Sequence, residues 1–173
     1  DLTRAKDFAD KAKKPELYKM LGEAQLDEMK VKDAIASLLK AKDISLRSKV
    51  IDAAEQDGSY EELIEYLVMC KGETKDMVVE TELLYCYAKL KRNEDIEEFL
   101  KSANCANLTS IADRCFNEEL YGAAKILYTS LNNYIKLASC LLKLKDFAGA
   151  VEAAKKANST RTWKEVTFAC VDE

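Results

Sequence analysis

The chain has 173 residues, a formal net charge of −4 and no histidine. Without histidine it cannot form a Cys–His or Ser–His nucleophile pair or any His-containing metal site. Its Lys and Arg are interspersed with Asp and Glu, with no basic stripe of the kind that nucleic-acid phosphates require.

Hydrophobic residues make up 48% and charged residues 34%. The 5 Gly and 1 Pro fall below the roughly 7% and 5% of average proteins, so helix is expected nearly throughout and strand almost nowhere. No apolar run approaches the roughly 18 residues of a membrane span, and no basic flank followed by an apolar signal region opens the chain.

In chain order, Leu2, Ala5, Phe8, Ala9 and Ala12 form a helical column with no cap ahead of it, so the chain is expected to open in mid-helix. Pro15 suits a first helical turn, where its missing N–H is not needed. Tyr18 then leads a column of Leu21, Gly22, Gln25 and Leu26 at i+3, i+4, i+7 and i+8. Lys30 to Lys40 reads as the partner helix, and Lys42-Asp43 breaks the rhythm before Ile44 to Ala54. Gly58 is expected as a left-handed residue just past a helix end, with Ser59 as N-cap of Tyr60 to Met69.

Lys71 to Asp76 is the longest connection, an exposed loop or a lengthened helix. Glu94, Asp95, Glu97 and Glu98, like Glu61, Glu62 and Glu65 one repeat earlier, are expected at helix N-termini, where negative charge favours the helix dipole. Leu108 to Ala154 holds the clearest repeat: Leu108, Ile111 and Cys115, then Tyr134, Leu137 and Leu141, then Phe147 and Ala150. Trp163 and Val166 continue the pattern, with Trp163 expected in the core, and Thr162 and Glu165 have capping-box spacing. The last column still runs at Val171-Asp172-Glu173, so both ends are expected to be cuts from a longer solenoid.

The columns fall into two series. One is led by Tyr18, Arg47, Glu80, Leu108, Tyr134 and Trp163, the other by Val31, Tyr60, Asn93, Tyr121 and Phe147. Each step from the first series to the second is 13 residues, whereas the return steps are 16, 20, 15, 13 and 16. One connection is held constant and the other absorbs length, as in a stack of helical hairpins with one packed and one free turn. Gln25 and Glu55 are misfits in the first series, and Glu97 and Lys125 interrupt the i+4 column of the second. The expected fold is all-α, a right-handed α–α superhelix or α-solenoid of stacked antiparallel hairpins, with residues 1–173 as one continuous helical-repeat segment.

Six cysteines show no C-x-x-C spacing; Cys86, Cys115, Cys140 and Cys170 lie in or beside apolar columns and read as reduced structural thiols. The five glycines are isolated, so neither a dinucleotide fingerprint nor a P-loop can be drawn. No catalytic, cofactor-binding or metal residue is assigned, and no partner-binding residue either. A peptide-binding scaffold of the tetratricopeptide kind keeps a 34-residue period, whereas the lead positions here step by 29, 33, 28, 26 and 29.

Longer strings are more specific. Lys156 to Val166 with Phe168 to Asp172, and Val79 to Leu83, Asp113-Arg114-Cys115 and Ala123 to Tyr128, resemble the clathrin heavy-chain family almost letter for letter. The resemblance runs through the whole chain in consistent order. It implies a helical zigzag leg of a three-legged assembly that polymerises into lattices around transport vesicles, here at the start of the proximal leg. It also implies a non-enzymatic role in endocytosis and intracellular protein transport, with other heavy chains as partners through trimer and lattice contacts. Light chain would bind mostly beyond Glu173 and adaptors through a domain outside this chain. The location would be cytoplasmic, peripheral on coated pits and vesicles, touching membrane only indirectly, with no nucleic acid and no cofactor.

Overall fold

A computed structural model describes residues 1–172; Glu173, where the expectation of a cut end falls, lies outside the described residues. Twelve helices and no strand are present among them: α1 (Leu2–Ala12), α2 (Pro15–Asp27), α3 (Val31–Ala41), α4 (Arg47–Asp57), α5 (Tyr60–Glu73), α6 (Met77–Lys89), α7 (Asn93–Lys101), α8 (Leu108–Asn117), α9 (Tyr121–Ser130), α10 (Tyr134–Lys143), α11 (Phe147–Ala157) and α12 (Thr160–Val171). The chain divides into two compact units, residues 1–86 and 87–173.

Within each unit helices pack on near neighbours in the chain, on the successor or on the next but one. In the first unit α1 meets α2, α2 meets α3 and α4, and α3 meets α4 and α5. In the second, α7 meets α9, α9 meets α8 and α10, and α10 meets α11 and α12. This is the neighbour-only packing of an α-solenoid.

The two series mark where helices begin. Val31, Tyr60, Asn93, Tyr121 and Phe147 are the first residues of α3, α5, α7, α9 and α11, and Arg47, Leu108 and Tyr134 open α4, α8 and α10. Helices α2, α6 and α12 start three residues ahead of their lead positions, at Pro15, Met77 and Thr160.

The constant step of 13 has a backbone cause. Four of its five turns, Glu28–Lys30, Leu90–Arg92, Glu118–Leu120 and Leu144–Asp146, share one geometry with a left-handed central residue: Met29, Lys91, Glu119 or Lys145, at φ 56° to 61°. In each, the third turn residue donates to a carbonyl five residues back, as Leu120 N–H does to Cys115 O (2.8 Å), and the central one to a carbonyl three back, as Glu119 N–H does to Phe116 O (3.1 Å). These are Schellman motifs, which satisfy the orphan carbonyls of a helix end. The return turn Leu131–Asn133, centred on Asn132 at φ 53°, uses the same motif, which is why that return step is also 13. The fixed length therefore belongs to the turn type, whichever side of the hairpin carries it. The fifth turn is two residues, with Gly58 at φ 76°.

Some expected boundaries move. Asp1 caps α1 by accepting from Thr3 N–H (3.0 Å), so the first helix is not uncapped. The segment from Ile44 to Leu46 stays out of α4, because Asp43 accepts from both the backbone N–H (3.0 Å) and the hydroxyl (2.7 Å) of Ser45 and forms a side-chain turn there. Helix α5 runs past Met69 to Glu73, leaving only Thr74–Asp76 as the connection. Ser59 lies at the N-cap of α5, yet its hydroxyl donates to the Asp57 carboxylate instead of capping the helix. The cap of α12 is Ser159, whose oxygen accepts from Thr162 N–H (3.4 Å), not Thr162. Cys70, Cys86, Cys115 and Cys140 are buried free thiols, while Cys105 and Cys170 are exposed.

Helix α2 approaches α3 closely. A Cβ on Gly22 would lie 2.8 Å from Leu38 Cγ and 2.9 Å from its Cδ2, and Leu38 is fully buried. The misfit Gln25 resolves in the same seam: its Oε1 accepts from the hydroxyl of Ser37 (2.7 Å), with both residues buried, so the two polar groups satisfy each other away from water.

Candidate assembly surface

The repeat-core residues read from the sequence fall into three depths. Ile111 and Cys115 on α8, Leu137 and Leu141 on α10, Ala150 on α11 and Val166 on α12 are buried. Leu108, Tyr134 and Phe147, each the first residue of its helix, are half-buried. Trp163 corrects the expectation: it is 43% exposed. On α12 the buried residues are Thr162 and Val166, one turn apart. At about 100° per residue, the position after Thr162 turns out of that stripe, so the indole edges a shallow groove with Ala154, Lys155, Asn158, Ser159 and Thr160.

The surface also carries a repeated polar node that the columns did not reveal. In the first unit the Tyr18 hydroxyl on α2 donates to Asp10 Oδ1 on α1 (2.9 Å), and Lys40 Nζ on α3 donates to the same oxygen (3.2 Å) while lying 5.2 Å from the Tyr18 ring centroid. In the second unit the Tyr128 hydroxyl on α9 donates to Asp113 Oδ1 on α8 (2.5 Å), and Lys136 Nζ on α10 donates to it (2.6 Å) from 5.7 Å over the Tyr128 ring. Each node joins three successive helices through one carboxylate oxygen. The partners are 8 to 30 residues apart in sequence, beyond the reach of helical periodicity. The available signal was Tyr128 itself, a phenol in a column that elsewhere holds Leu38, Leu67, Leu100 and Ala154, because a buried hydroxyl requires a partner.

Electrostatics follow the contacts. The bonds from Lys136 and Tyr128 hold the Asp113 carboxyl below the usual carboxylate range, and those from Tyr18 and Lys40 do the same for Asp10. Burial, then the Asp113 bond, raises the Tyr128 phenol. Arg47 Nε donates to Asp76 Oδ2 (2.7 Å) and lowers that carboxyl, while its Nη1 donates to Ile44 O (2.9 Å) and closes the segment ahead of α4. The Tyr66 hydroxyl on α5 donates to the Asp43 carbonyl (2.9 Å).

Between α7 and α9 an open groove of about 450 Å³ is lined by Glu97, Leu100, Lys101, Lys125, Ile126, Thr129 and Ser130. Among the described residues no group of three or more His, Cys, Asp or Glu is placed to hold a metal ion, and no helix is long and apolar enough to cross a membrane.

Residues 38–173 match the family model described as the region in clathrin and VPS. The chain belongs to this clathrin family. It is 45% identical over 171 residues to the clathrin heavy chain of Dictyostelium discoideum and 46% identical over 171 residues to clathrin heavy chain 1 of Arabidopsis thaliana. Identity to clathrin heavy chain 2 of Homo sapiens is 38% over 172 residues. Each comparison covers 99% of this chain and 10% of the relative, so the chain spans about a tenth of the length of the clathrin heavy chains it matches.

Proposed function

We propose that this chain is a structural leg segment of a clathrin coat, one helical-repeat stretch at the start of the proximal leg. The observation that carries the reading is similarity to clathrin heavy chains along 99% of the chain, joined to helices that pack only on near neighbours. In such a stack small rotations between hairpins add up from one hairpin to the next, and exposed ion pairs worth about 0 to 1 kcal/mol each give lattice contacts that hold together collectively and separate one by one. The role is non-enzymatic and belongs to endocytosis and intracellular protein transport. Partners are other heavy chains, in trimers and lattices; light chain binds mostly beyond residue 173, and adaptors bind a domain elsewhere in the heavy chain. The protein works in the cytoplasm, peripheral on coated pits and vesicles, and reaches the membrane through those partners.

The test exchanges this stretch into a full-length clathrin heavy chain in place of the matching tenth. Assembly of the purified chimaera into closed lattices, seen by electron microscopy, is the expected result. A chimaera that folds and trimerises yet forms no lattice overturns the reading.

A further inference from the structure

Four next-but-one helix pairs pack directly: α2 on α4, α3 on α5, α7 on α9 and α10 on α12. Helices α8 and α10 do not pack closely, and a groove of about 350 Å³ lies at this place, lined by Asp113, Phe116, Asn117, Tyr128, Lys136 and Ser139. What crosses it is polar. Lys136, in the first turn of α10, reaches Asp113 on α8, and Tyr128 on α9 reaches the same oxygen.

We infer that Asp113 is a tilt latch: it fixes the angle of α10 against α8 across an unpacked seam, so that this seam is where the repeat stack can be stiffened or loosened. The Tyr128 ring is 1% exposed, which gives its hydroxyl one firm direction and anchors the carboxylate from the interior. With the carboxylate so held, Lys136 has a fixed target, and the bond pins the end of α10 nearest the three-residue turn Leu131–Asn133. Beyond that end Leu137 and Leu141 are buried, so the far part of α10 stays seated whether or not the latch is closed. Asp113 is thus a positioning residue for α10, acting through Lys136.

Amide hydrogen exchange of the 173-residue chain tests this, with Asp113→Ala and, as a milder variant that leaves the Tyr128 bond in place, Lys136→Met. Loss of the Lys136 bond predicts about fivefold faster exchange for the amides of residues 136–138, at the pinned end of α10, in both variants, while those of residues 140–143 keep their rates. Amides of α11 and α12 should keep their rates, and Asp113→Glu should restore much of the protection. Exchange of residues 136–138 within twofold of the parent chain overturns the latch. So does an even acceleration across α8 to α12, which would make Asp113 a general stability residue instead.

Discussion

The helices of the second series bury different stripes in the two units, although they start in the same register. In the first unit the i+4 residues of α3 and α5 are Ile35 and Ile64, 1% and 7% exposed. In the second unit the same positions on α7 and α9 are Glu97 and Lys125, both exposed, and the groove floored by Leu100 and Ile126 opens beside them. Register is set by the turns, whereas the width of the buried stripe is set residue by residue. A solenoid can therefore keep its repeat while closing a seam in one place and opening it in another.

Exchanging the i+4 residues breaks the comparison most sharply. Ile35→Glu places a carboxylate without a partner in the first unit and should cost about 3 to 5 kcal/mol in urea unfolding. Lys125→Ile in the second should stay within about 0.5 kcal/mol, as surface changes do. A Lys125→Ile effect as large as that of Ile35→Glu would show that the two stripes are equally wide.

The α2–α3 seam of the first unit is tighter than its misfit Gln25 suggests. Gly22→Ala pushes a methyl against Leu38, which is 0% exposed and cannot move aside. Overpacking should cost about 1 to 3 kcal/mol and outweigh the gain of up to about 1 kcal/mol from better helix propensity. Thermal unfolding would expose the reverse: a raised midpoint means the two helices can part by a few tenths of an ångström.

Alkaline pH separates the units in another way. Burial raises the thiols of Cys115 and Cys140 to about 12 and that of Cys70 to about 11, against an ordinary 9.0. A thiol whose folded pKa exceeds its unfolded one stabilises the fold fully below pH 9; that contribution is lost as pH rises from about 9 through the folded value. Urea midpoints should change little on this account below pH 9 and fall above it. Cys115→Ala should flatten the fall, and an unaltered alkaline limb would show that the thiol is not buried.

Much of this fold was legible because helix starts obey turn chemistry. The lead residues found by periodicity alone are the first residues of eight helices. Gly58 could be read from its need for positive φ, and Pro15 from its missing N–H. The polar nodes were not legible, because Asp113 meets Lys136 through three-dimensional packing across 23 positions. Trp163 was misplaced because Thr162, a polar residue, holds the buried side of α12, and a hydrophobicity count favours the indole. The same limit explains why partner-binding residues could not be assigned: exposed faces follow no period.

The left-handed turn residues offer the gentlest comparison, between the one turn built on glycine and those that are not. Gly58 takes φ 76° freely, while Glu119 holds φ 61° with a side chain, a conformation that costs an L-residue about 1 to 2 kcal/mol. Glu119→Gly removes that cost but adds chain entropy to the unfolded state, worth about 0.5 to 1 kcal/mol, so the net gain should be about 0.5 kcal/mol. Gly58→Lys should lose a similar amount, since nothing lies within 4 Å of the position to hold the side chain. If Glu119→Gly instead destabilises the chain in urea unfolding, the glutamate stem must be packing on the α8–α9 turn, and the shared turn geometry would owe its persistence to side-chain contacts as well as to the backbone.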